Sequence, residues 1–303
     1  MTAPTTMFAS PDDLDVQTQI RNWLDDRHMT GETFRQWREK KMPRLKDFAE
    51  YIGPAFRNHR LWPVVLVACA MGDEPHTNPY HSNDHFREVM ACYLRLTAEI
   101  NGLDDDAFLT GFIACCLHDY KHDGSTNRVN DTHEPMRLEM RSCGLAEEAL
   151  RAAGADDTLL TNVRAIIGAT DVSRGGAPTS PAHILRHIHF AHIGEDKMPK
   201  DVPEVMQPLV DNKELAYVAI LMEVADIIPS AAIDHAHSVA SIKMLEAENP
   251  NSIKADAQNL LFFLDVLCDN IPHVAVARDL FGSTYARIRA KVGEEAKSGV
   301  EYR

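Results

Sequence analysis

The chain has 303 residues, of which 45% are hydrophobic and 25% are charged. These values are ordinary for a soluble globular protein and exclude a disordered or fibrous chain. Its 45 Asp and Glu residues outnumber 31 Lys and Arg residues, and the net charge of −14 disfavours nucleic acid and anionic membranes as partners. A small anionic substrate still fits this charge if bound cations reverse the local potential.

The cysteines and the N-terminus indicate the compartment. The six cysteines form no CxxC motif and no disulfide-rich spacing, so we expect free thiols in a reducing cytosol. The first residues, MTAPTTMFASPDD, lack the basic and apolar regions of a signal peptide, and no apolar stretch reaches the roughly 18 residues that a membrane span needs. We therefore expect a cytoplasmic protein that does not contact membranes.

Helical spacing of apolar residues dominates the first part of the chain. Short helices are predicted from about Leu14 to Gly53, with breaks near Thr30-Gly31 and Met42-Pro43. An apolar helix is predicted at Leu61–Met71, followed by a polar loop at Gly72–His81. A further helix is predicted at Ser82–Ile100, and a mostly buried one at Asp104–His118.

The second part of the chain is also predicted to be helical. The segment HDYKHDGSTNRVND, which begins at His118, contains the Gly, Ser and Asn residues typical of a loop. Arg174–Pro181 is a linker candidate, and Asn249–Asn251 is predicted to be a turn. The last dozen residues have the composition of a frayed tail. Further helices are predicted at Met136–Ala153, Asp157–Thr170, Val202–Ile228, Ile233–Glu248 and Lys254–Cys268.

The expected fold is an all-α, compact multi-helix bundle in a single domain over residues 1–303. We divide it into an N-terminal helical part (1–75), a core that carries the chemistry (76–270) and a C-terminal helix with a tail (271–303).

Two histidines at helical spacing introduce the residues that can carry chemistry. His81 and His85 are four residues apart at the start of a predicted helix, so both imidazoles project from one face and can converge on a metal. Histidines in the core or at a helix cap produce the same spacing, so this pair alone does not establish a metal site.

Two further elements supply carboxylates. His118-Asp119 lies where a buried helix passes into a polar loop, and Asp226 is surrounded by the apolar LAYVAILMEVADII. A buried acid needs a partner. That partner is a metal, or else Asp119 caps the next turn and Asp226 pairs with an arginine or lies at a helix end before Pro229.

Together, a His, the His-Asp pair and an Asp from three predicted helices offer two imidazoles and two carboxylates. The set suits Zn²⁺, Mn²⁺ or Fe²⁺ at a mixed nitrogen and oxygen site. A carboxylate such as that of Asp119 can also bridge to a second ion, Mg²⁺ or Mn²⁺, whose other ligands would be waters. Two such ions can hold a hydroxide and clamp a phosphate for in-line attack.

The same residues resemble a known family. The blocks Asn78-Pro79-Tyr80-His81, His85, LHDYKHDGSTN (which ends at Asn127), Ala169-Thr170-Asp171 and Ala225-Asp226 are similar, in order, to the signature blocks of class I cyclic-nucleotide phosphodiesterases, within the HD metallohydrolase superfamily. The resemblance covers about Asn78–Asp265 and implies an HD-type helical bundle with two divalent metals.

The resemblance also implies a role for each matched residue. His85, His118, Asp119 and Asp226 would bind the tighter metal, usually zinc, and Asp119 would bridge to magnesium. His81 would be the general acid for the leaving 3′ oxygen, and His122 would hydrogen-bond the bridging hydroxide or the waters of the second ion. Residues expected to support the metal ligands are Glu88, Glu134 and Asp171, and those expected to contact the substrate are Tyr80, Asn127, Gln258, Phe262 and Phe263.

The chain departs from the family pattern mainly where the purine would be recognised. Ser82 replaces an Asn that usually follows the first histidine, and Pro229 stands where the family usually has an Asn that helps to read the base. The family's glutamine and phenylalanine should lie in Gln258–Asp265. One alignment puts Leu260 in the glutamine position, and Gln258 fits only after a shift; Leu260–Phe263 is equally typical of a core stripe.

Other candidates have simpler explanations. His183, His187, His189 and His192 form a histidine-rich stretch that is either a second metal site or a set of surface or loop histidines. His133-Glu134 offers a carboxylate for the second ion or a turn before Pro135. Cys115-Cys116 lies in an apolar helix and is typical of packing.

Three hypotheses follow from the sequence. The chain hydrolyses cAMP or cGMP to the 5′-monophosphate, or it acts on another nucleotide or phosphoester through the same metal centre, or it is a non-catalytic binding or scaffold protein that keeps the fold. The expected partner is a small cyclic nucleotide, and a homodimer is an open expectation.

Overall fold

The structure is a computed structural model that describes residues 15–25, 34, 42–130, 132–173 and 177–303. Helices form nearly all of its regular structure. They are α1 Val16–Asp25, α2 Leu45–Phe56, α3 Trp62–Gly72, α4 Asn83–Thr97, α5 Asp105–Leu117, α6 Arg137–Ala152, α7 Asp157–Gly168, α8 Pro181–His192, α9 Gln207–Asp211, α10 Lys213–Ala231, α11 His235–Glu248, α12 Ala257–Phe262 and α13 Ala275–Lys297.

Helix α5 is apolar on all sides and is buried from Ala107 to Leu117. It begins at an aspartate cap, since the Asp104 carboxylate accepts a hydrogen bond from the Ala107 N–H at 2.9 Å. A Cβ at Gly111 would lie 2.3 Å from the Tyr93 hydroxyl and 2.4 Å from a Val218 methyl group. This glycine therefore allows α4 and α10 to approach α5 closely, which brings three site-bearing helices together.

Helix α10 lies at the centre of the bundle and contacts α4, α5, α7, α8 and α11. The Asn212 side chain caps its first turn through the Leu215 N–H at 3.0 Å. The helix does not end before Pro229, as one explanation of Asp226 required, but continues to Ala231. Pro229 lacks an N–H and so leaves the Ala225 carbonyl without its usual helical donor.

The predicted loop after His118 contains a short antiparallel hairpin. Strand β1, Arg128–Val129, pairs with strand β2, Thr132–His133, in the register Arg128 to His133 and Val129 to Thr132. Two-residue strands carry too little alternation to be read from a sequence.

Several predicted boundaries differ from the structure. Helix α8 occupies the histidine-rich stretch directly after the predicted linker. Residues 174–176 of that linker and the predicted break at Thr30-Gly31 lie outside the described part of the chain. The predicted helix Val202–Ile228 is divided into a 3₁₀ turn at Glu204–Met206, α9 and α10. The predicted helix Lys254–Cys268 is α12 followed by a π-helical turn, Phe263–Leu267.

The C-terminus is ordered by contacts rather than frayed, which corrects the sequence prediction. Helix α13 continues to Lys297. Beyond it, the Ala257 N–H donates to the Val300 carbonyl at 3.0 Å and the Tyr302 N–H donates to the Ala255 carbonyl at 2.9 Å. These backbone bonds attach the last residues to the start of α12.

The described helices share one hydrophobic core, as the single-domain prediction requires; the division at residues 75 and 270 stays a prediction. All six cysteines are free and buried, and Cys115 and Cys116 pack in α5 as expected. Among the described residues no single helix has the length and apolar character to cross a membrane, although α10 and α11 together, bent by 99° at their junction, meet both criteria.

Candidate metal centre

Three helices bring the predicted metal ligands together. His85 is in the first turn of α4, His118 and Asp119 directly follow α5, and Asp226 is on α10. Ser82, one of the departures from the family pattern, occupies the cap position of α4 without a side-chain capping bond.

The side chains of these four residues lie close together. The ligand atoms of His85, His118 and Asp119 are all within 4.8 Å of one another, and Asp226 lies beside both histidines. The Nε2 atom of His85 lies 3.0 Å from Asp226 Oδ1 and 3.4 Å from His118 Nε2. His118 Nε2 lies 3.2 Å from Asp119 Oδ2. Ligand atoms at about 2.1 Å from one ion are separated by about 3–3.5 Å, so the donor set and its spacing both fit a divalent cation.

Hydrogen bonding and charge prepare these atoms for a cation. His118 Nδ1 donates to the Cys115 carbonyl at 3.0 Å, so when Nε2 gives up its proton to a cation, its lone pair is directed at the site. Burial opposes a charge on His118, but Asp119 and Asp226 outweigh it and raise its pKa to about 9. Although burial alone would raise it, the pKa of Asp119 is held well below its usual value by His118 and His81. The acids therefore attract positive charge strongly.

A second group of potential ligands shares Asp119. His81, Asp119 and His122 also place one potential ligand atom each within 4.8 Å of one another, and the rings of His81 and His122 are stacked at 3.8 Å. His122 Nδ1 accepts from the Gly124 N–H at 3.0 Å, so its Nε2 carries the proton. Burial and the neighbouring His81 lower the pKa of His122 to about 4, and the ring is neutral.

The carboxylate that holds His81 belongs to Glu248, which the sequence analysis did not identify. Oε1 of Glu248 lies 2.5 Å from His81 Nδ1, and Oε2 accepts from the backbone N–H groups of Tyr80 at 3.0 Å and His81 at 3.2 Å. Burial raises the pKa of Glu248, but its contacts with His81 reverse the effect and leave it lowered. Burial alone would lower the pKa of His81, but the negative charges of Asp119 and Glu248 outweigh burial and raise it.

Glu88 does not take the predicted position beside His81. Its Oε1 lies 3.4 Å from His237 Nε2, and both side chains are buried. The carboxylate of Glu88 therefore contacts α11 rather than His81. No local signal distinguishes Glu248 from the neighbouring Glu246 in the sequence, since its partner is 167 residues away.

Glu134 does not lie at the metal centre, where the sequence predicted a supporting carboxylate. It is exposed, and its backbone N–H donates to the Asn127 carbonyl. Glu139, in the first turn of α6, lines the pocket instead, and its carboxylate accepts from Asn127 Nδ2 at 3.0 Å. Burial and the nearby Asp171 raise the pKa of Glu139 to about 8. A buried acid of this kind is stabilised by a neighbouring cation or by its waters.

Asp171 supports the backbone near the site. Its Oδ2 accepts from the Met136 N–H and its Oδ1 from the Ser173 N–H, both at 2.8 Å. Met136 has a positive φ of 61°, a strained conformation that the Asp171 bond helps to hold. Asp171 therefore fixes the turn that leads into α6, where Glu139 is located.

A cavity of about 380 Å³ lies beside both groups of ligands. Predicted substrate residues that line it are Tyr80, Asn127, Phe262 and Phe263. Gln258 does not, because its amide donates to the Ala296 carbonyl at 3.2 Å, and Leu260 is in the core. The side-chain amide that reaches the cavity from α12 is Asn259, which lies between the two positions that the sequence alignments favoured.

Two of the four histidines of α8, His183 and His187, form a hydrogen-bond chain instead of a ligand cluster. Arg186 donates to His183 Nδ1 at 3.0 Å, His183 Nε2 contacts His187 Nε2 at 2.9 Å, and His187 Nδ1 contacts Asp196. With one proton on each imidazole, every contact in this chain pairs a donor with an acceptor. The geometry is explained without a metal, and these histidines lie on a helix rather than in a loop.

Comparison with known proteins gives the fold. No protein-family model and no curated protein matches the chain. The chain is similar in structure to LmjPDEB1 in complex with IBMX, with a TM-score of 0.61, 14% identity and coverage of 98% of this chain and 100% of the other. It is also similar to the phosphodiesterase domain of Salpingoeca rosetta rhodopsin phosphodiesterase, with a TM-score of 0.63, 15% identity and coverage of 95% and 96%. The predicted all-α fold is confirmed: the chain has the fold of cyclic-nucleotide phosphodiesterase catalytic domains.

Proposed function

We propose that the chain is a metal-dependent phosphodiesterase that hydrolyses a 3′,5′-cyclic nucleotide to the 5′-monophosphate. The observation that carries this proposal is the pairing of His81 with Glu248 beside Asp119, the one residue shared by both potential ligand groups. A proton donor next to two cation positions is the arrangement that phosphodiester hydrolysis needs.

His85, His118, Asp119 and Asp226 would hold the tighter ion, zinc or else manganese or iron, because imidazole and carboxylate ligands suit these metals. Asp119 would share a second ion, magnesium or manganese, whose waters would contact His122 and Glu139. When bound, the two ions supply an activated water and neutralise the phosphate during in-line attack.

His81 would protonate the leaving 3′ oxygen from Nε2. Glu248 accepts the hydrogen bond of Nδ1, so its negative charge stabilises the imidazolium that must be present before the proton is transferred. Because Oε2 of Glu248 also accepts two backbone N–H groups, the carboxylate holds the ring in a fixed orientation.

The cavity also suits a flat base. Phe263 and the apolar side chains of Ile227, Ile253 and Leu267 line its inner part, and Phe262, which is 56% exposed, lies at the rim. The Asn259 amide donates to Asp256 Oδ1 at 2.9 Å, and this contact would orient its carbonyl oxygen to accept from a base edge.

Hydrolysis of cAMP and cGMP with Mg²⁺ or Mn²⁺ tests the proposal. We expect turnover by the wild type and its loss in His81→Ala and Asp226→Ala. His187→Gln, a histidine change outside the cavity, is the control and should retain full activity. A metal-loaded wild type that hydrolyses neither nucleotide would refute the proposal.

A second candidate function keeps the metal centre but changes the substrate. Pro229 offers no hydrogen bond to a base, and the Gln258 amide faces α13 instead of the cavity. A panel of nucleotides and phosphoesters separates the two candidates, since faster turnover of a non-cyclic substrate than of cAMP and cGMP would favour the second.

A further inference from the structure

A second cavity, of about 370 Å³, lies where the end of α8 meets the starts of α10 and α13. It shares no lining residue with the cavity of the metal centre. Its wall includes Tyr217, nine residues before Asp226 on α10, which corresponds to about 14 Å along the helix axis. A ligand here would not touch the metal centre, and its volume is in the range of small-molecule sites.

His189 is the unusual residue in this wall. It is only 7% exposed, and its ring is stacked on that of Tyr217 with the centroids 5.5 Å apart and the planes 12° apart. Burial and the neighbouring His192 lower its pKa to about 4, so the ring is neutral and carries one donor and one acceptor. Within the described part of the chain, no group is hydrogen-bonded to either ring nitrogen.

The next histidine on α8 that lines the cavity, His192, does have a hydrogen-bond partner on its ring. His192 also lines the cavity, but its Nε2 donates to the Leu209 carbonyl at 2.8 Å. The ring nitrogens of His189 are not among the fully buried unpartnered atoms of the described residues. They are therefore open to the cavity that His189 lines, where a ligand can hydrogen-bond to them.

The charge distribution around the cavity favours an anion. Helix α13 has 23 residues, begins at Ala275 beside the cavity, and has no side-chain cap at Val274, so its first N–H groups and its positive dipole end are available. Lys213 at the start of α10 adds a positive charge, which Glu214 on the same turn offsets in part. The α13 terminus is therefore the main attraction for a negative group.

We infer that this cavity binds a small planar heteroaromatic carboxylate. Its ring would pack against Tyr217 and the 47% exposed Ile193, a ring N–H or ring nitrogen would pair with His189, and its carboxylate would lie at the start of α13 near Lys213. This inference does not depend on the proposed hydrolase activity.

Calorimetric titration of the full chain with indole-3-carboxylate tests the inference. We expect one site with a dissociation constant below about 1 mM. His189→Phe keeps the stacked ring but removes both nitrogens, and Tyr217→Leu removes the aromatic surface; each should weaken binding by about tenfold. Lys213→Gln should weaken the carboxylate but leave the neutral probe indole-3-carboxamide unchanged.

Two controls make the result specific. His187→Gln on the same helix and Asp226→Asn in the metal centre should bind the probe like the wild type. The inference fails if the wild type shows no binding at about 5 mM, or if His189→Phe and Tyr217→Leu both bind with unchanged affinity. Should a variant not fold, a wild-type crystal soaked with the probe decides, because density elsewhere on the protein would overturn the assignment.

Discussion

Replacement of Glu248 by glutamine tests the proposed proton donor most directly. The two acceptor contacts of Oε2 with the Tyr80 and His81 N–H groups would fix the carbonyl oxygen of the new amide. Its NH₂ group would then face His81 Nδ1. An amide donor at this atom favours the neutral imidazole with its proton on Nε2, so a smaller fraction of His81 would be the imidazolium that protonates the leaving oxygen.

The size of the effect follows from the lost contact. A hydrogen bond to a charged group contributes about 1.5–3 kcal/mol, and one pKa unit corresponds to about 1.4 kcal/mol. The pKa of His81, which Glu248 helps to raise, should therefore fall by about one to two units. Above the lowered pKa, a shift of this size reduces the protonated fraction of His81 by about 10–100-fold, so kcat/KM on the alkaline side should fall by about the same factor.

The assay is the pH dependence of kcat/KM for the metal-loaded wild type and Glu248→Gln. Deprotonation of the acid forms the alkaline limb, so this limb should move to lower pH by about one to two units. Glu246→Gln, two residues earlier on α11, is the matched control and should leave the profile unchanged. An alkaline limb that stays in place in Glu248→Gln would refute the role of Glu248 in charging His81.

Three further predictions concern stability, metal and substrate. The pKa of Glu223, which is buried and has no well-formed hydrogen bond to Asn270, is raised to about 8. The folded state thus retains a proton that the unfolded state loses above its ordinary pKa, and the free energy of unfolding falls as pH rises from 4.5 to about 8. Glu223→Gln should stabilise the chain at pH 8 by on the order of 2–4 kcal/mol and by little at pH 4.5; equal urea stabilities of variant and wild type at pH 8 would contradict this. Zinc at a hundredfold excess over its dissociation constant should raise the melting temperature of the wild type by about 5 °C, whereas Asp226→Asn should show a much smaller rise, and equal rises would remove this residue from the ligand set. In steady-state kinetics with the preferred nucleotide, Asn259→Ala should raise KM by about tenfold, whereas Gln258→Ala should leave it unchanged; the reverse order would show that the α12 register is assigned to the wrong amide.

Long helices and local motifs were predictable from the sequence. Helix α5 is bounded by Asp104 at its start and by His118 at its end, and after its first two residues it is buried as far as Leu117. The four-residue spacing of His81 and His85 predicted that both rings would face one site, and their ring centroids are 6.0 Å apart. His81 precedes α4, however, which begins at Asn83, so the two residues do not share a helical face. Asp226 was recognisable because an acid in an apolar helix requires a partner.

Contacts between distant residues were not predictable in the same way. Glu248 meets His81 only after α11 packs on α10, and no pattern near Glu248 records this. The positive φ of Met136 turns the chain so that Glu139, not Glu134, enters the cavity. Asp256 caps α12 through the Asn259 N–H at 2.8 Å, and this start sets which face holds Asn259 rather than Gln258.

The proposed metal ligands and the rim of the cavity lie in different kinds of structure, with a consequence for how the protein can evolve. Asp226 lies on α10, where nearly every residue is buried, so most changes there would unfold the chain before they altered its chemistry. Ser173, Asn249 and Ser252 lie in connecting segments at the same cavity, where substitutions cost little stability. New substrate preferences can therefore arise at the rim by single mutations, while the reaction itself is inherited unchanged.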